Sequence, residues 1–147
     1  MPSALNILAG PQALPVIRER GLRPEDIDVV VGASGGPKWL VLSGLDRVLF
    51  GDFLIGQRER PLHLLGSSIG SWRLACLAQR DPVAAQDRFR HAYIYEQRYR
   101  KNPSPEEVTQ VSARLLERLL GDEGDREILD NPYRRLHLIT VLCHGFL

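Results

Sequence analysis

The residues Gly66-Ser67-Ser68-Ile69-Gly70 carry the pattern G-x-S-x-G. A serine hydroxyl is presented as a nucleophile when it sits on a sharp turn between a strand and a helix. Glycines two residues before and two after are needed there, because other side chains would collide with the neighbouring strand and helix. The chemistry expected of Ser68 is attack on an acyl carbonyl, with Gly66 and Gly70 supporting the turn. The competing reading is an ordinary strand-to-helix turn that contains a serine. A second glycine-rich turn, Gly32-Ala33-Ser34-Gly35-Gly36-Pro37-Lys38, follows an apolar run and opens a helical one. Backbone N–H groups exposed at such a junction, with the positive end of the helix, stabilise an oxyanion or a phosphate. The string comes near the phosphate-loop pattern G-x-x-x-x-G-K-[ST], but Pro37 replaces the second glycine and Trp39 the hydroxyl residue. Proline cannot donate an N–H to phosphate and indole cannot ligate magnesium, so a phosphate-loop nucleotide binder is the weaker reading of this turn.

Both turns need strands before them and helices after them. Ile27 to Val31 is a β-branched run that reads as a strand buried on both faces, and Pro61 to Leu65 reads as a second short strand. Pro37 to Phe50 follows the first turn with Leu40, Val41, Leu45, Val48 and Leu49 at helical spacing, and Ser71 to Gln79 follows the second as a helix that is apolar almost all round. Two strand, turn and helix units in series predict an α/β fold: a mainly parallel sheet with helices on both faces. Pro11 to Gly21 reads as a short amphipathic helix, with Leu14, Ile17 and Val16 as its inward candidates. Asp81 and Pro82 open a helix running to about Tyr99. Ser104, Pro105 and Glu107 form a capping box for another, with Val108, Val111, Leu115 and Leu119 inward and Gly121 as its stop. Asp122 to Asn131 reads as a polar loop and Leu136 to Cys143 as a third strand.

Other chemistry-bearing residues are scattered. His63, His91, His137 and His144 could join a Ser-His-Asp triad only by coming together in the fold, and each alone reads as a packing or surface residue. Cys76 and Cys143 form no C-x-x-C pair and sit in apolar surroundings, as buried free thiols do. No histidine, cysteine and carboxylate cluster has metal spacing, so no metal and no cofactor are expected. Between Val83 and Lys101, Arg88, Arg90, Arg98, Arg100 and Lys101 interleave with Phe89, Tyr93 and Tyr95. A peripheral contact with anionic lipid headgroups is one reading of that stretch, and a solvated helix face is the favoured one.

The 147 residues fit one domain, and 44% hydrophobic with 25% charged residues is the balance of an ordinary globular chain rather than a disordered one. A net charge of +1 gives no general pull toward nucleic acid. Residues 1–10 lack a basic segment followed by a long apolar one, which gives a cytoplasmic expectation.

With its two turns in this order, the chain resembles the N-terminal part of the patatin-like phospholipases over about residues 27–80. In that family the first turn reads D-G-G-G-x-[RK]-G and supplies the oxyanion hole, and the serine of G-x-S-x-G works in a Ser-Asp dyad. By position, Gly35, Gly36 and Lys38 match the first motif and Ser68 the nucleophile. Ala33, Ser34 and Trp39 depart from it, standing where the family has aspartate, the first glycine and the last. The resemblance implies a serine acyl hydrolase acting on a carboxylic ester or lipid, with the N–H groups of Gly35 and Gly36 as oxyanion donors and Lys38 orienting the loop. The family's dyad aspartate lies in D-G-[AG], and no Asp-Gly pair occurs in these 147 residues. A longer natural form that carries this pair is therefore expected. The alternative is a non-catalytic relative that keeps the fold and binds an acyl chain or a protein partner.

Overall fold

The computed structural model describes residues 6–142 and His144. Three strands, β1 (Val29–Gly32), β2 (Leu62–Ser67) and β3 (Arg134–Ile139), form a parallel sheet in the order β1-β2-β3. Val30, Leu64 and Leu136 stand in register across it, as do Val31, Leu65 and His137. Because side chains alternate along a strand, the first row belongs to one face of the sheet and the second to the other. The α/β class and the parallel pairing are those expected.

The first face is the core face. Leu62 and Leu64 are fully buried against Phe50, Leu54, Leu74 and Leu77, with Val30 and Leu136 packed alongside. The elements that follow β1 change their winding where one helix was expected. Gly36–Leu42 is a 3₁₀ segment, α2 spans Ser43–Val48, and Leu49–Phe53 is a single π turn. Gly44 and Gly51 explain part of the irregularity, since glycine weakens an α-helix. Gly51 is also a point of close approach, where a Cβ would lie 2.9 Å from Val83 Cγ2.

After β2 comes α3 (Ile69–Leu77), the most buried helix, and then α4 (Pro82–His91), capped by the Asp81 carboxylate accepting the Ala84 N–H at 2.9 Å. A π turn over Ala92–Glu96 ends this run short of Tyr99. Helix α5 (Pro105–Leu120) buries Val111, Leu115 and Leu119 and stops at Gly121. Ser104 caps it through the Glu107 N–H, but the return half of the expected capping box is missing: the Glu107 carboxylate instead accepts from the backbone and side chain of Arg100.

Three expectations are corrected. The stretch Asp122 to Asn131 is not a loop, because Gly124–Leu129 forms α6, whose Ile128 packs into both main apolar clusters. Gly124 is the reason for its fit: a Cβ there would lie 2.7 Å from the buried Gln79 Oε1. Strand β1 is not buried on both faces, and the helices expected on both faces of the sheet pack on one. Val29 and Val31 are 51% and 68% exposed, because α3, α6 and the π turn after α2 all cover the face of Val30. The first helix, α1 (Ala13–Arg20), makes no extensive packing with the sheet; its Leu14 and Ile17 are half-buried and Val16 is exposed.

Candidate active site at the strand ends

The two glycine-rich turns meet at the carboxyl ends of neighbouring parallel strands, the place where open α/β sheets commonly hold ligands. Ser68 joins β2 to α3 with φ 51° and ψ −127°, and it is the one non-glycine residue with positive φ among the described residues. Such a backbone costs about 1–3 kcal/mol and persists only where the surroundings enforce it. Three glycines do so. A Cβ at Gly70 would lie 2.0 Å from the Gly32 carbonyl oxygen, one at Gly66 would lie 2.4 Å from Ser71 Cα, and one at Gly32 would lie 2.7 Å from the Gly70 carbonyl oxygen. The spacing of G-x-S-x-G is thus a packing requirement, and Gly32 extends it to the other turn.

The strain has a consequence for the hydroxyl. Ser68 occupies the N-cap position of α3, where a serine ordinarily accepts a helix N–H. Ser104 caps α5 in that way, whereas Ser68 makes no side-chain cap and is exposed. The residue stands exposed at the helix start, beside the positive end of α3.

Ser34 ties the turns together. Its Oγ lies 3.0 Å from Ser67 Oγ and 3.4 Å from the Ser67 carbonyl oxygen, so the departure from the glycine of the patatin-like motif supplies a hydrogen bond here. Gly36 has φ +53°, which favours glycine, whereas Gly35 has φ −174° and a Cβ there would make only an ordinary contact with Lys38 Cβ. Gly35 is exposed, Gly36 half-buried, and Lys38 exposed in the turn that its backbone closes by donating to the Gly35 carbonyl. Trp39, a further departure, is turned into the core and buried. It stacks on Phe89 with centroids 4.8 Å apart and meets Tyr93 edge-on, so the bulk at the last glycine position anchors the turn from beneath.

A buried ion pair locks the helices behind the two turns. Arg73 on α3 donates from Nε and Nη2 to the two carboxylate oxygens of Asp46 on α2, at 2.8 and 2.5 Å, with Asp46 fully buried. Beside Ser71, one helical turn from Ser68, opens an apolar groove of about 410 Å³ walled by Trp72, Leu116, Leu120, Ile128 and Leu138.

No protein-family model, curated protein or solved structure matches this chain.

No candidate base hydrogen-bonds Ser68 among the described residues, and Asp125 lines the groove that begins at Ser71. His63 lies five residues earlier on β2, about 16 Å away at about 3.3 Å per residue. It pairs instead with His137 on β3, and His91 stands on α4 near Glu96. Asp81 caps α4, Asp87 is paired with Arg47, and Asp122 and Asp130 sit with Arg80 beyond the far end of α3. Cys76 is an inert core thiol, its ionisation pushed far up by burial, while Cys143 lies outside the described residues. The basic stretch is divided: Arg88 turns inward to Gln79 Oε1 and the Leu119 carbonyl, and Arg100 is held by Glu107. No helix among the described residues is long and apolar enough to cross a membrane. The Asp46–Arg73 pair and the meeting of His63 with His137 were not foreseen from sequence. No local pattern links residues 27 or 74 positions apart, and the parallel register alone brings the two histidines together.

Proposed function

We propose that the chain is a serine acyl hydrolase unit of the patatin-like kind, acting through Ser68 on carboxylic esters or lipids. The observation that carries this reading is the conformation of Ser68. A serine at a helix start that has given up its capping bond and holds a strained backbone among three close-packed glycines is built to present its hydroxyl. The adjoining turn, with Gly35 and Gly36, offers backbone donors for the oxyanion that forms when Oγ attacks the acyl carbon, at about 3 kcal/mol per well-placed donor. The apolar groove beginning at Ser71 suits an acyl chain. Ser34 and Trp39 hold that turn against the elbow in place of the family's glycines. The phosphate-loop alternative gains little here, since Pro37 lies in the first turn of a 3₁₀ segment and the residue at the magnesium-ligand position is a core tryptophan.

Neither a carboxylate nor an imidazole hydrogen-bonds Ser68 among the described residues, which also favours the non-catalytic alternative unless the hydroxyl proves reactive. Fluorophosphonate treatment of the purified chain followed by peptide mass spectrometry separates them. The expected result is one adduct on the peptide bearing Ser68, lost in Ser68→Ala with the unfolding midpoint unchanged. Ester turnover is expected to be slow, since without its base such a site retains about 10³ to 10⁴ over water. Absence of any adduct, or labelling that survives in Ser68→Ala, overturns the assignment.

A further inference from the structure

The face of the sheet turned away from the helices carries two imidazoles head to head. His63 Nδ1 and His137 Nε2 are 2.8 Å apart, with ring centroids separated by 5.1 Å. Both rings project from regular positions on adjacent paired strands, so the backbone fixes their separation. Their row neighbours are Val29, Val31 and Leu65, with exposed Arg135 opposite His63 as the charged group beside them. Among the described residues each ring hydrogen-bonds the other, and two neutral imidazoles can share only one proton between the facing nitrogens.

We infer that His63 and His137 are a two-imidazole chelate for a late first-row divalent cation, clipping β2 to β3. Imidazole nitrogens suit copper, nickel and zinc rather than magnesium or calcium. Two of them on one tetrahedral ion at about 2.05 Å lie about 3.3 Å apart, so the facing nitrogens need to separate by only about half an ångström. Both rings must also turn so that the lone pairs now facing each other converge on the ion, which takes the place of the shared proton. Among the described residues no group of three or more histidine, cysteine or carboxylate side chains converges, so water fills the other coordination positions. His137 pairs with Leu65, three residues before the elbow, about 10 Å from Ser68 along the strand. The ion therefore acts on the stability of the sheet and takes no part in ester chemistry, and the inference stands whether or not Ser68 is a nucleophile.

The test is calorimetric titration of the tag-free chain with copper(II), nickel(II) and zinc(II) chloride in a non-coordinating buffer, with thermal unfolding followed in parallel. One ion per chain is expected, tightest for copper, together with a raised unfolding midpoint. His63→Gln and His137→Gln should each weaken binding about 100-fold by removing the second tethered ligand, and His91→Gln should leave it unchanged. His137 is exposed, so its replacement serves as the test even if His63→Gln impairs folding. No binding at micromolar metal, or binding that survives undiminished in His137→Gln, overturns the site.

Discussion

At the scale of single residues, the two glycines of the first turn differ in what they are for. Gly36 sits at φ +53°, so any side chain there strains the turn and shifts the backbone N–H groups proposed as oxyanion donors. Gly35 has no such requirement, and a methyl group on it would meet only Lys38 Cβ at 3.9 Å. Gly36→Val is therefore expected to slow fluorophosphonate acylation of Ser68 by about 100-fold, the usual loss on displacing an oxyanion donor. Gly35→Ala should keep both the rate and the unfolding midpoint. Equal rates for the two variants would show that the turn does not serve the reaction. The glycines of the elbow were legible in the sequence because sterics forces them: Gly66 and Gly70 have no room for a Cβ. The sharp strand-to-helix turn at Ser68 followed from that pattern. The anchoring role of Trp39 did not, because the position reads as the loss of a glycine until the ring is seen stacked on Phe89, fifty residues away.

At the scale of elements, the buried pair of Asp46 and Arg73 joins the helix that follows one turn to the helix that follows the other. Breaking a buried pair from one side leaves an uncompensated charge, at a cost of about 3–5 kcal/mol, whereas removing both charges together is often close to neutral. Asp46→Leu alone should lower the denaturant midpoint by an amount in that range, and Asp46→Leu combined with Arg73→Met should recover most of it. If the pair also sets the register of the two turns, the double variant will regain stability but acylate Ser68 more slowly than the unaltered chain. A double variant with full stability and an unchanged rate would confine the pair to the fold. Sequence reading missed this link for the same reason that it missed α6. Nothing local in the sequence joins Asp46 to Arg73, and the six residues of α6 are so rich in charge that only Ile128, packed with Leu136 and Leu119, gives the helix its place. Periodicity registers the face a helix turns inward. It carries no information about which partner that face will meet.

At the scale of the whole molecule, the sheet is covered on one face and open on the other. The β-branched run of β1 suggested two buried faces, since Val29, Val30 and Val31 are equally apolar and alternation cannot be read from three like residues. The structure distinguishes them: Val30 packs with Leu64 and Phe50 in the core, while Val31 is 68% exposed. Lysine at the two positions should therefore have very different effects. Val30→Lys places an ammonium group against the apolar cluster and is expected to cost several kcal/mol, enough to unfold a domain of ordinary stability. Val31→Lys puts the same charge into water and should change the unfolding free energy by no more than about 0.5 kcal/mol, as surface substitutions usually do. Urea unfolding of the two variants, followed by the fluorescence of Trp39 and Trp72 in the aromatic stack over Phe89, measures both effects with probes that lie on the covered side. The size of the Val31 effect also reports on whether the open face is bare in solution. A large loss in Val31→Lys, or a loss that grows with dilution, would mean that another layer lies over Val29, Val31 and Leu65 in the working protein. The histidine pair on that face would then be buried with it. A negligible loss would leave the one-sided sheet as the state that presents both the elbow at its strand ends and the imidazole pair on its surface.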